Sequence, residues 1–392
     1  MKKSAMFLLW VGAAISVSEI FTGGLLAPLG LIRGIAVILG GHLIGTLFLA
    51  GGAYISYRRK CSAMDAVGFS FGKTGGKLVA LCNLIQLTGW IIILVVQAGS
   101  AIISVFPNLP FRGAALTLSI LQIVWALIFG SPASRINNTA VVLLTGLCVL
   151  FFIESSGYSA PPVTTSMSLM LGIELSIAMP VSWLPVVGDY SCKAGTKGCA
   201  VLAPFLGYFL GSCFMYIIGL YIAVSSGKDI FSFIASGKFK YAACAIVLLS
   251  TMTTNFVALY SAAVSSRQWI NSKHIQTPVL IIGTITLFIS VFFPINRFAL
   301  ILEKFLSAIT MVFVPVFMLV FLEYFTKKSR CVKQINIKLL IIVIICMSAN
   351  WIFNKYSVFI PTIITIVLAA LLFVIQNIFF KKNRAAAGGA SV

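Results

Sequence analysis

Long apolar runs recur along the whole chain, and they constrain its fold more than any single motif does. Each run reaches 18 residues or more, which is enough for an α-helix to cross roughly 30 Å of hydrocarbon. The chain of 392 residues is 60% hydrophobic and 9% charged, with a mean hydropathy of +1.08. A soluble domain averages about 25% charged residues, so a single water-exposed globule is excluded. The sequence predicts an all-α, polytopic integral membrane protein.

The extent of the runs predicts twelve transmembrane helices. The first run is too long for a cleaved signal peptide, and no small-residue cleavage site follows a short apolar core. The predicted spans are residues 6–32, 34–57, 77–105, 113–130, 136–153, 168–188, 197–224, 240–264, 275–293, 298–325, 336–353 and 356–379.

The charge is strongly asymmetric: 28 basic residues stand against 8 acidic ones, for a formal net charge of +20. Most of the basic residues collect at the termini and in alternate connections between the predicted spans. This is the positive-inside pattern, and it predicts a multi-pass protein of the cell membrane with both termini in the cytoplasm. We expect this charge to meet anionic lipid, and we expect no nucleic-acid partner.

The sequence carries no enzyme signature that we recognise. Its nine cysteines show no CxxC spacing, which predicts free thiols and no zinc site. There are two histidines, and no Gly-rich phosphate loop, HExxH or GxSxG motif is present. We therefore expect no enzyme, and any pumping has to use an ion gradient.

Helix-breaking residues stand in the middle of predicted helices 1 and 6. Helix 1 has Gly12 followed by "SVSEIFTGG", and helix 6 has Pro180 and Pro185. Broken backbone at membrane depth is tolerated where protein or a wet cavity satisfies the freed groups. The two breaks occupy equivalent positions of two five-helix units, which indicates an inverted repeat with a binding site between broken helices. The alternative is that both positions are simple kinks.

Two carboxylates, Glu19 and Glu174, are predicted to lie within the membrane, where such groups are expensive unless paired or wet. Glu19 lies beside the helix 1 break, so we expect it to accept hydrogen bonds from a heterocycle or to carry a proton. Glu174 lies near the outer end of helix 6, where a solvated or structural role is as reasonable as a functional one. His42 in helix 2 is predicted to be a hydrogen-bonded packing residue.

Helix 8 contains the unusually polar stretch "LLSTMTTNFVALYSAA". Ser250, Thr253 and Thr254 stand at i, i+3 and i+4, so they share one face of the helix. Together with carbonyls freed at the helix 1 break, these oxygens suit a small hard cation such as sodium. The alternative is that the threonines hydrogen-bond carbonyls of their own helix, and the spacing alone favours that alternative.

Four stretches together resemble the nucleobase–cation symporter family, which contains cytosine, hydantoin and hydroxymethylpyrimidine permeases. The similarity is greatest to the hydroxymethylpyrimidine branch, which takes up the thiamine precursor. The stretches are "SVSEIFTGG", "FSFGKTGGKLVALCNLIQLTGWIIILVVQAG", "TTN" followed by "ALY", and "PVFMLVFLEYF".

The resemblance implies a LeuT-like five-plus-five inverted repeat with broken helices 1 and 6, and alternating access around a midplane site. It divides the chain into a first repeat at 1–153, a second repeat at 154–325 and two additional helices at 326–380. Residues 381–392 are predicted to form a disordered tail.

The resemblance also implies a sodium site, which falls on five residues of helices 1 and 8. Helix 1 supplies backbone oxygens, and helix 8 supplies backbone and hydroxyl oxygens. The five residues are Gly12, Ile15, Ser250, Thr253 and Thr254.

The predicted substrate site lies on helices 1, 3, 6 and 8. Trp90 matches the family's stacking tryptophan, and an aromatic face buries a flat ring well. Asn255 and Gln97 offer both a donor and an acceptor to ring edges, and Gln86 is the weaker amide candidate. The alignment in helix 6 is loose and does not decide which residue contacts the ligand. The full predicted set is Ser16, Glu19, Trp90, Gln97, Met179, Pro180, Trp183 and Asn255.

These features predict a secondary transporter that imports a small planar aminopyrimidine together with sodium. Among such compounds, the resemblance favours hydroxymethylpyrimidine. Its partners would be the heterocycle and the lipid bilayer, and we expect a monomer. The alternatives are cytosine, another nucleobase or a hydantoin as substrate, or a proton as the coupling ion. More remote hypotheses are an amino-acid transporter of the same fold, a channel or a membrane-embedded enzyme. Glu19 and the proline-rich helix 6 depart from the cytosine and hydantoin permeases.

Overall fold

Every regular element in the described part of the chain is helical. A computed structural model describes residues 3–129, 134–159, 166–266, 269, 274–326, 334–356 and 359–388. Short 3-10 turns lie at Ala27–Leu29 and Ile295–Arg297, and a π-helical turn lies at Gly198–Leu202. The α-helices are α1 (Lys3–Ala14), α2 (Val17–Leu25), α3 (Leu31–Arg59), α4 (Ala63–Val105), α5 (Phe111–Phe129), α6 (Ser134–Ser155), α7 (Leu169–Ser182), α8 (Leu184–Ser191), α9 (Ala203–Ser226), α10 (Ile230–Ser236), α11 (Lys240–Ser266), α12 (Gln276–Val291), α13 (Phe298–Thr326), α14 (Ile337–Tyr356) and α15 (Pro361–Gly388).

Each predicted span contains a helix, although α4 begins at Ala63 and the predicted span begins at residue 77. Among the described residues, nine helical segments are long and apolar enough to cross a membrane, and the bent pair of α1 and α2 makes a tenth. The shorter apolar helices Thr139–Ser155 and Gln276–Val291 fall on the two remaining predicted spans. The protein is therefore a multi-pass, all-α membrane protein. The predicted boundaries between repeats, at 153/154 and 325/326, stay predictions.

Helix 1 is broken where the sequence predicts. The α1 helix ends at Ala14, α2 begins at Val17, and the two are bent by 54°. Ser16 caps α2 in an extended conformation (φ −144°, ψ 157°), and its Oγ accepts a hydrogen bond from the Glu19 N–H at 3.4 Å. The cap satisfies one of the free N–H groups at the start of α2.

Helix 6 is interrupted more mildly than helix 1. Only Trp183 separates α7 from α8, its backbone stays right-handed (φ −90°, ψ −8°), and Leu169–Ser191 forms one span. Pro180 lies inside α7, whereas Pro185 lies in the first turn of α8, where its missing N–H is not needed. Despite the two prolines, helix 6 is therefore interrupted at a single residue, Trp183.

Glycines let the backbone of the broken helix 1 pack directly against the backbone of α9. A Cβ atom on Gly219 would lie 1.8 Å from the Ile20 carbonyl oxygen, and one on Gly23 would lie 2.2 Å from that of Tyr216. Such contacts are available only to residues without a side chain. This approach sets the face of α9 that carries Tyr208 and Ser212 against α2.

Two predictions about the periphery need correction or completion. The backbone of residues 381–388 continues α15, where we predicted a disordered tail, because Ala385–Ala387 are strong helix formers. Residues 389–392 lie outside the described residues, as do all of the basic residues of the connection at 327–333. No disulfide joins the cysteines that the structure describes, and Cys331 lies outside that part.

The Glu174 carboxylate is buried and hydrogen-bonded to two other helices. Its side chain is 1% exposed and accepts hydrogen bonds from the hydroxyls of Thr310 (2.5 Å) and Thr362 (2.7 Å), and from the Thr362 N–H (3.1 Å). The carboxylate thereby joins helix 6 to α13 and α15. Of the two roles left open for Glu174, the structure supports the structural one.

Candidate functional site

A cavity lies against the helix 1 break, enclosed by α1–α2, α4, α7–α8 and α11. The empty space among its lining residues, including the open solvent at its mouth, is about 630 Å³. The lining residues are Ala13, Ser16, Ser18, Glu19, Gln86, Leu87, Trp90, Leu94, Met179, Ser182, Trp183, Val186, Thr254, Ala258 and Ser261.

Two indole side chains form aromatic walls of this cavity, and neighbouring rings hold each of them. Trp90 packs edge-on against Phe305, with ring centroids 5.3 Å apart and an interplanar angle of 84°. Trp183 packs edge-on against Trp10, with centroids 6.0 Å apart and an angle of 85°. Both indoles line the cavity, so a flat aromatic ring can pack against their exposed parts.

Gln86, which lines the cavity, has a buried side-chain acceptor without a partner among the described residues. Its Nε2 donates to the Ser182 carbonyl oxygen at 2.7 Å, and because that carbonyl only accepts, the contact fixes the orientation of the amide. The Gln86 Oε1 atom is buried and has no partner in the described part of the chain. An unpaired buried acceptor costs about 1–3 kcal/mol, and a ligand N–H can remove this cost.

The Glu19 carboxylate is held by α9 although the residue contributes to the cavity wall. Glu19 is 2% exposed; Oε1 accepts a hydrogen bond from the Tyr208 hydroxyl at 2.6 Å, and Oε2 contacts the Ser212 Oγ at 2.7 Å. A heterocycle that pairs directly with Glu19 would have to replace at least one of these contacts. The expected position of Glu19 beside the break and the cavity is confirmed.

His42 is hydrogen-bonded through both ring nitrogens. Nδ1 lies 2.9 Å from the Ile38 carbonyl oxygen, Nε2 lies 2.7 Å from the Ser212 Oγ, and the ring packs edge-on against Tyr216. The residue is fully buried, as expected of a packing histidine. Its partner Ser212 also contacts Glu19, a connection that the sequence did not predict.

Five of the eight predicted substrate residues line the cavity: Ser16, Glu19, Trp90, Met179 and Trp183.

The other three do not line it, and two of them have different partners. Gln97 accepts a hydrogen bond from the hydroxyl of Ser18, a cavity residue, at 2.5 Å. Asn255 donates to the Ile91 carbonyl oxygen at 3.3 Å and to the Gln122 side chain. Thr254 and Ala258 mark the cavity face of α11, and Asn255 lies about 100° away from Thr254 around the helix. The structure does not place Gln97, Asn255 or Pro180 at this cavity, and their predicted contact with substrate stays a prediction.

The predicted sodium ligands differ in their hydrogen bonding between α11 and the end of α1. The Thr253 and Thr254 hydroxyls both donate to the Ser250 carbonyl oxygen, at 2.9 and 3.0 Å, which is the alternative that the spacing favoured. Their oxygens keep lone pairs for a cation. The carbonyls of Gly12 and Ile15 accept no hydrogen bond from the described residues, as expected for carbonyls at a helix end.

Sequence reasoning missed Tyr208 and Ser212 entirely, and it preferred Gln97 to Gln86, whereas Gln86 is the glutamine that lines the cavity. Tyr208 and Ser212 stand at i and i+4 in the apolar segment "YFLGSCFMY", so a polar pair on one helix face was the available signal. The cavity residues Ser182 and Ser261 carried no such signal.

The helices have a LeuT-like arrangement, as the comparison with solved structures shows. The chain superposes on the inward-facing conformation of Mhp1 with a TM-score of 0.80 and 15% sequence identity, covering 97% of this chain and 91% of that one. Mhp1, described as a nucleobase-cation-symport-1 family transporter, also matches in a closed conformation with bromovinylhydantoin bound. That match has a TM-score of 0.75 and 16% identity, and it covers 96% of this chain and 92% of that one. The predicted fold class is confirmed.

A similarity in sequence is found to the vitamin B6 transporter TPN1 of Saccharomyces cerevisiae. The two are 23% identical over 235 residues, which make up 56% of this chain and 41% of that protein. The chain thus matches less than half the length of this relative. No protein-family model matches the chain.

Proposed function

We propose that the protein is a secondary transporter of the nucleobase–cation symporter family, not an enzyme, and that it carries a small planar N-heterocycle by alternating access. The observation that carries the proposal is the cavity at the helix 1 break, where two indoles and an unpaired amide oxygen meet. This cavity lies in a fold whose solved example holds bromovinylhydantoin. The carrier works as a monomer in the cell membrane, with both termini in the cytoplasm.

The substrate that we favour is hydroxymethylpyrimidine, the thiamine precursor. Its exocyclic amine can donate to the Gln86 Oε1 atom, which is buried without a partner among the described residues. Its flat ring suits the walls formed by Trp90 and Trp183, and hydroxyls such as those of Ser16 and Thr254 suit its ring nitrogens and hydroxymethyl group. Cytosine also carries an exocyclic amine and is the nearest rival.

A second candidate is a vitamin B6 compound such as pyridoxine, which the similarity to the yeast vitamin B6 transporter favours. Pyridoxine is likewise a six-membered aromatic N-heterocycle with hydroxymethyl groups. It lacks the exocyclic ring amine, so it offers no amine N–H to the Gln86 Oε1 atom. Dependence of binding on Gln86 therefore separates the two candidates.

Sodium is the coupling ion of this proposal. The free carbonyls of Gly12 and Ile15 supply oxygen ligands at the C-terminal end of α1, where the helix dipole favours a cation. On α11, which packs against α2, the Ser250 carbonyl orients the hydroxyl oxygens of Thr253 and Thr254. A bound ion would supply positive charge that links α1 to α11.

A thermal-shift titration of the purified protein tests the proposal. Hydroxymethylpyrimidine, pyridoxine, cytosine and a hydantoin are each added in sodium and in choline buffer. Binding to the folded state raises the melting temperature by mass action. We expect the largest shift with hydroxymethylpyrimidine in sodium. A larger shift with pyridoxine would select the second candidate, and no shift with any compound would contradict the proposed substrate class.

A further inference from the structure

A continuous chain of hydrogen bonds links the broken helix to α3 through α9. Tyr208 donates to Glu19 Oε1 at 2.6 Å, and Glu19 Oε2 lies 2.7 Å from Ser212 Oγ. Ser212 Oγ lies 2.7 Å from His42 Nε2, and His42 Nδ1 lies 2.9 Å from the Ile38 carbonyl oxygen. Glu19, Ser212 and His42 are all buried. We call these three residues the α2–α9–α3 relay.

The positions of the hydrogens in the relay follow from what each group can donate. The Ile38 carbonyl can only accept, so His42 Nδ1 must carry a hydrogen. Ser212 has a single hydroxyl hydrogen, and both Glu19 Oε2 and His42 Nε2 face its oxygen. If Glu19 is ionised and His42 is neutral, both groups are acceptors. One hydrogen cannot form both hydrogen bonds. In one of the two contacts, a lone pair of Ser212 Oγ would then face a lone pair of Glu19 Oε2 or His42 Nε2.

Two arrangements satisfy every contact, and both contain one more proton than ionised Glu19 with neutral His42. In the first, protonated Glu19 donates to Ser212, and Ser212 donates to neutral His42. In the second, doubly protonated His42 donates to Ser212, and Ser212 donates to ionised Glu19. They interconvert when the Glu19 proton moves to Ser212 Oγ while the Ser212 hydroxyl proton moves to His42 Nε2. The net charge of the relay is zero in both.

In the part of the chain that the structure describes, no charged side chain pairs with the relay. Among the described residues, no Lys, Arg, Asp or second Glu side chain forms a hydrogen bond or ion pair with Glu19 or His42. The titratable side chains that face the pair are Tyr208, Tyr216 and Cys213, all on α9. A buried site with unbalanced charge is expensive, so the protonated and neutral relay is the stable one.

We propose that the α2–α9–α3 relay is a proton-binding site that holds one exchangeable proton and makes transport depend on the proton concentration. Glu19 lines the substrate cavity, which gives the relay a route for proton exchange. The coupling role rests on the proposed transport function, whereas the proton occupancy does not. The carrier thus has a proton site on α2, α3 and α9, separate from the proposed sodium site on α1 and α11.

Infrared spectroscopy of the purified wild-type protein tests the occupancy without any substrate. We expect the bands of a protonated carboxylic acid or of an imidazolium at neutral pH, and their loss as the pH rises. Glu19→Gln and His42→Gln should each abolish the bands, because an amide N–H can donate to Ser212 without an extra proton. An ionised Glu19 with a neutral His42 at neutral pH in the wild type would overturn the proposal, even if both variants fail to fold.

Glu174→Gln is the matched control. Glu174 is the other buried carboxylate of the spans, but all its contacts come from donors that suit an ionised group. The bands of the relay should therefore persist in this variant. If the bands that titrate disappear with Glu174 and remain in Glu19→Gln, the proton site is assigned to the wrong carboxylate.

Uptake of hydroxymethylpyrimidine into proteoliposomes tests the coupling. For one coupled proton, an inward gradient of one pH unit should raise wild-type accumulation about tenfold. The gradient should not change accumulation by His42→Gln, a variant of a relay residue that does not line the cavity. Wild-type accumulation that ignores the gradient would overturn the coupling role. Failure of the wild type to transport any heterocycle would contradict the proposed function, while the infrared result would still decide the proton site.

Discussion

The Gln86 amide nitrogen donates a hydrogen bond to the Ser182 carbonyl oxygen at 2.7 Å, which joins α4 to helix 6 at the wall of the cavity. The contact uses one end of the amide and leaves the Oε1 atom buried without a partner in the described part of the chain. A fixed, unsatisfied acceptor is what an amino-substituted ring can bind.

Replacement of Gln86 should weaken the binding of aminopyrimidines selectively. Gln86→Leu removes the acceptor, and the lost hydrogen bond of about 1 kcal/mol or more corresponds to a roughly five- to tenfold higher Kd for hydroxymethylpyrimidine. Pyridoxine, which has no ring amine, should bind equally well to the variant and to the wild type. Isothermal titration of both ligands measures the difference.

Gln122→Leu serves as the control for this experiment. Gln122 is a buried glutamine of α5 that contacts Asn255 and does not line the cavity. This variant should leave both affinities unchanged. Equal losses of affinity in the two variants would indicate a general effect on folding and contradict the role of Gln86.

Trp90 should act through its aromatic face. Trp90→Ala removes a cavity wall and an aromatic pair worth roughly 0.5–1.5 kcal/mol beyond the buried area, so affinity for any flat heterocycle should fall about tenfold or more. Trp90→Phe should retain most of the affinity. Quenching of tryptophan fluorescence by the ligand gives a second readout, which should decrease in both variants. Trp351, which is 59% exposed on α14, provides the control Trp351→Phe.

The approach of α2 and α9 should tolerate no side chain at Gly219. In Gly219→Ala the new Cβ would lie 1.8 Å from the Ile20 carbonyl oxygen, so the helices must move apart. Overpacking of this kind costs typically 1–3 kcal/mol, and the melting temperature should fall by several degrees. Gly40→Ala in α3 is the matched control, since nothing lies within 4 Å of its added Cβ. A Gly219→Ala variant as stable as Gly40→Ala would contradict the packing.

The two threonine hydroxyls should set the response to sodium. In Thr253→Val and Thr254→Val the shape is kept and the oxygen ligand is lost. We expect the sodium concentration for half-maximal thermal stabilisation to rise at least severalfold in each variant. Thr145→Val controls for the loss of an intrahelical bond, because Thr145 donates only to the Val141 carbonyl oxygen in α6, at 2.8 Å. An unchanged sodium response in both variants would remove these hydroxyls from the ion site.

Hydropathy and helix breakers predict the fold and the position of the cavity because both depend on local properties of the chain. The break at Ser16 was found in this way, whereas Trp90 was predicted from the family resemblance. The partners of Glu19 were not, because Tyr208 lies 189 residues away and its register depends on the packing of α9. A rotation of about 100° per residue separates Thr254 from Asn255 in helix 8. Spacing alone does not reveal which of the two faces the cavity.

Counterflow in proteoliposomes tests the central claim most directly. Vesicles are loaded with unlabelled hydroxymethylpyrimidine in symmetric sodium and pH, and labelled compound is added outside at trace concentration. A carrier that works by alternating access exchanges the two, so labelled compound should transiently accumulate above its equilibrium level, and far less in Trp90→Ala. Equilibration of the label without an overshoot would indicate a channel, and no entry of any tested heterocycle would contradict the proposed transport function.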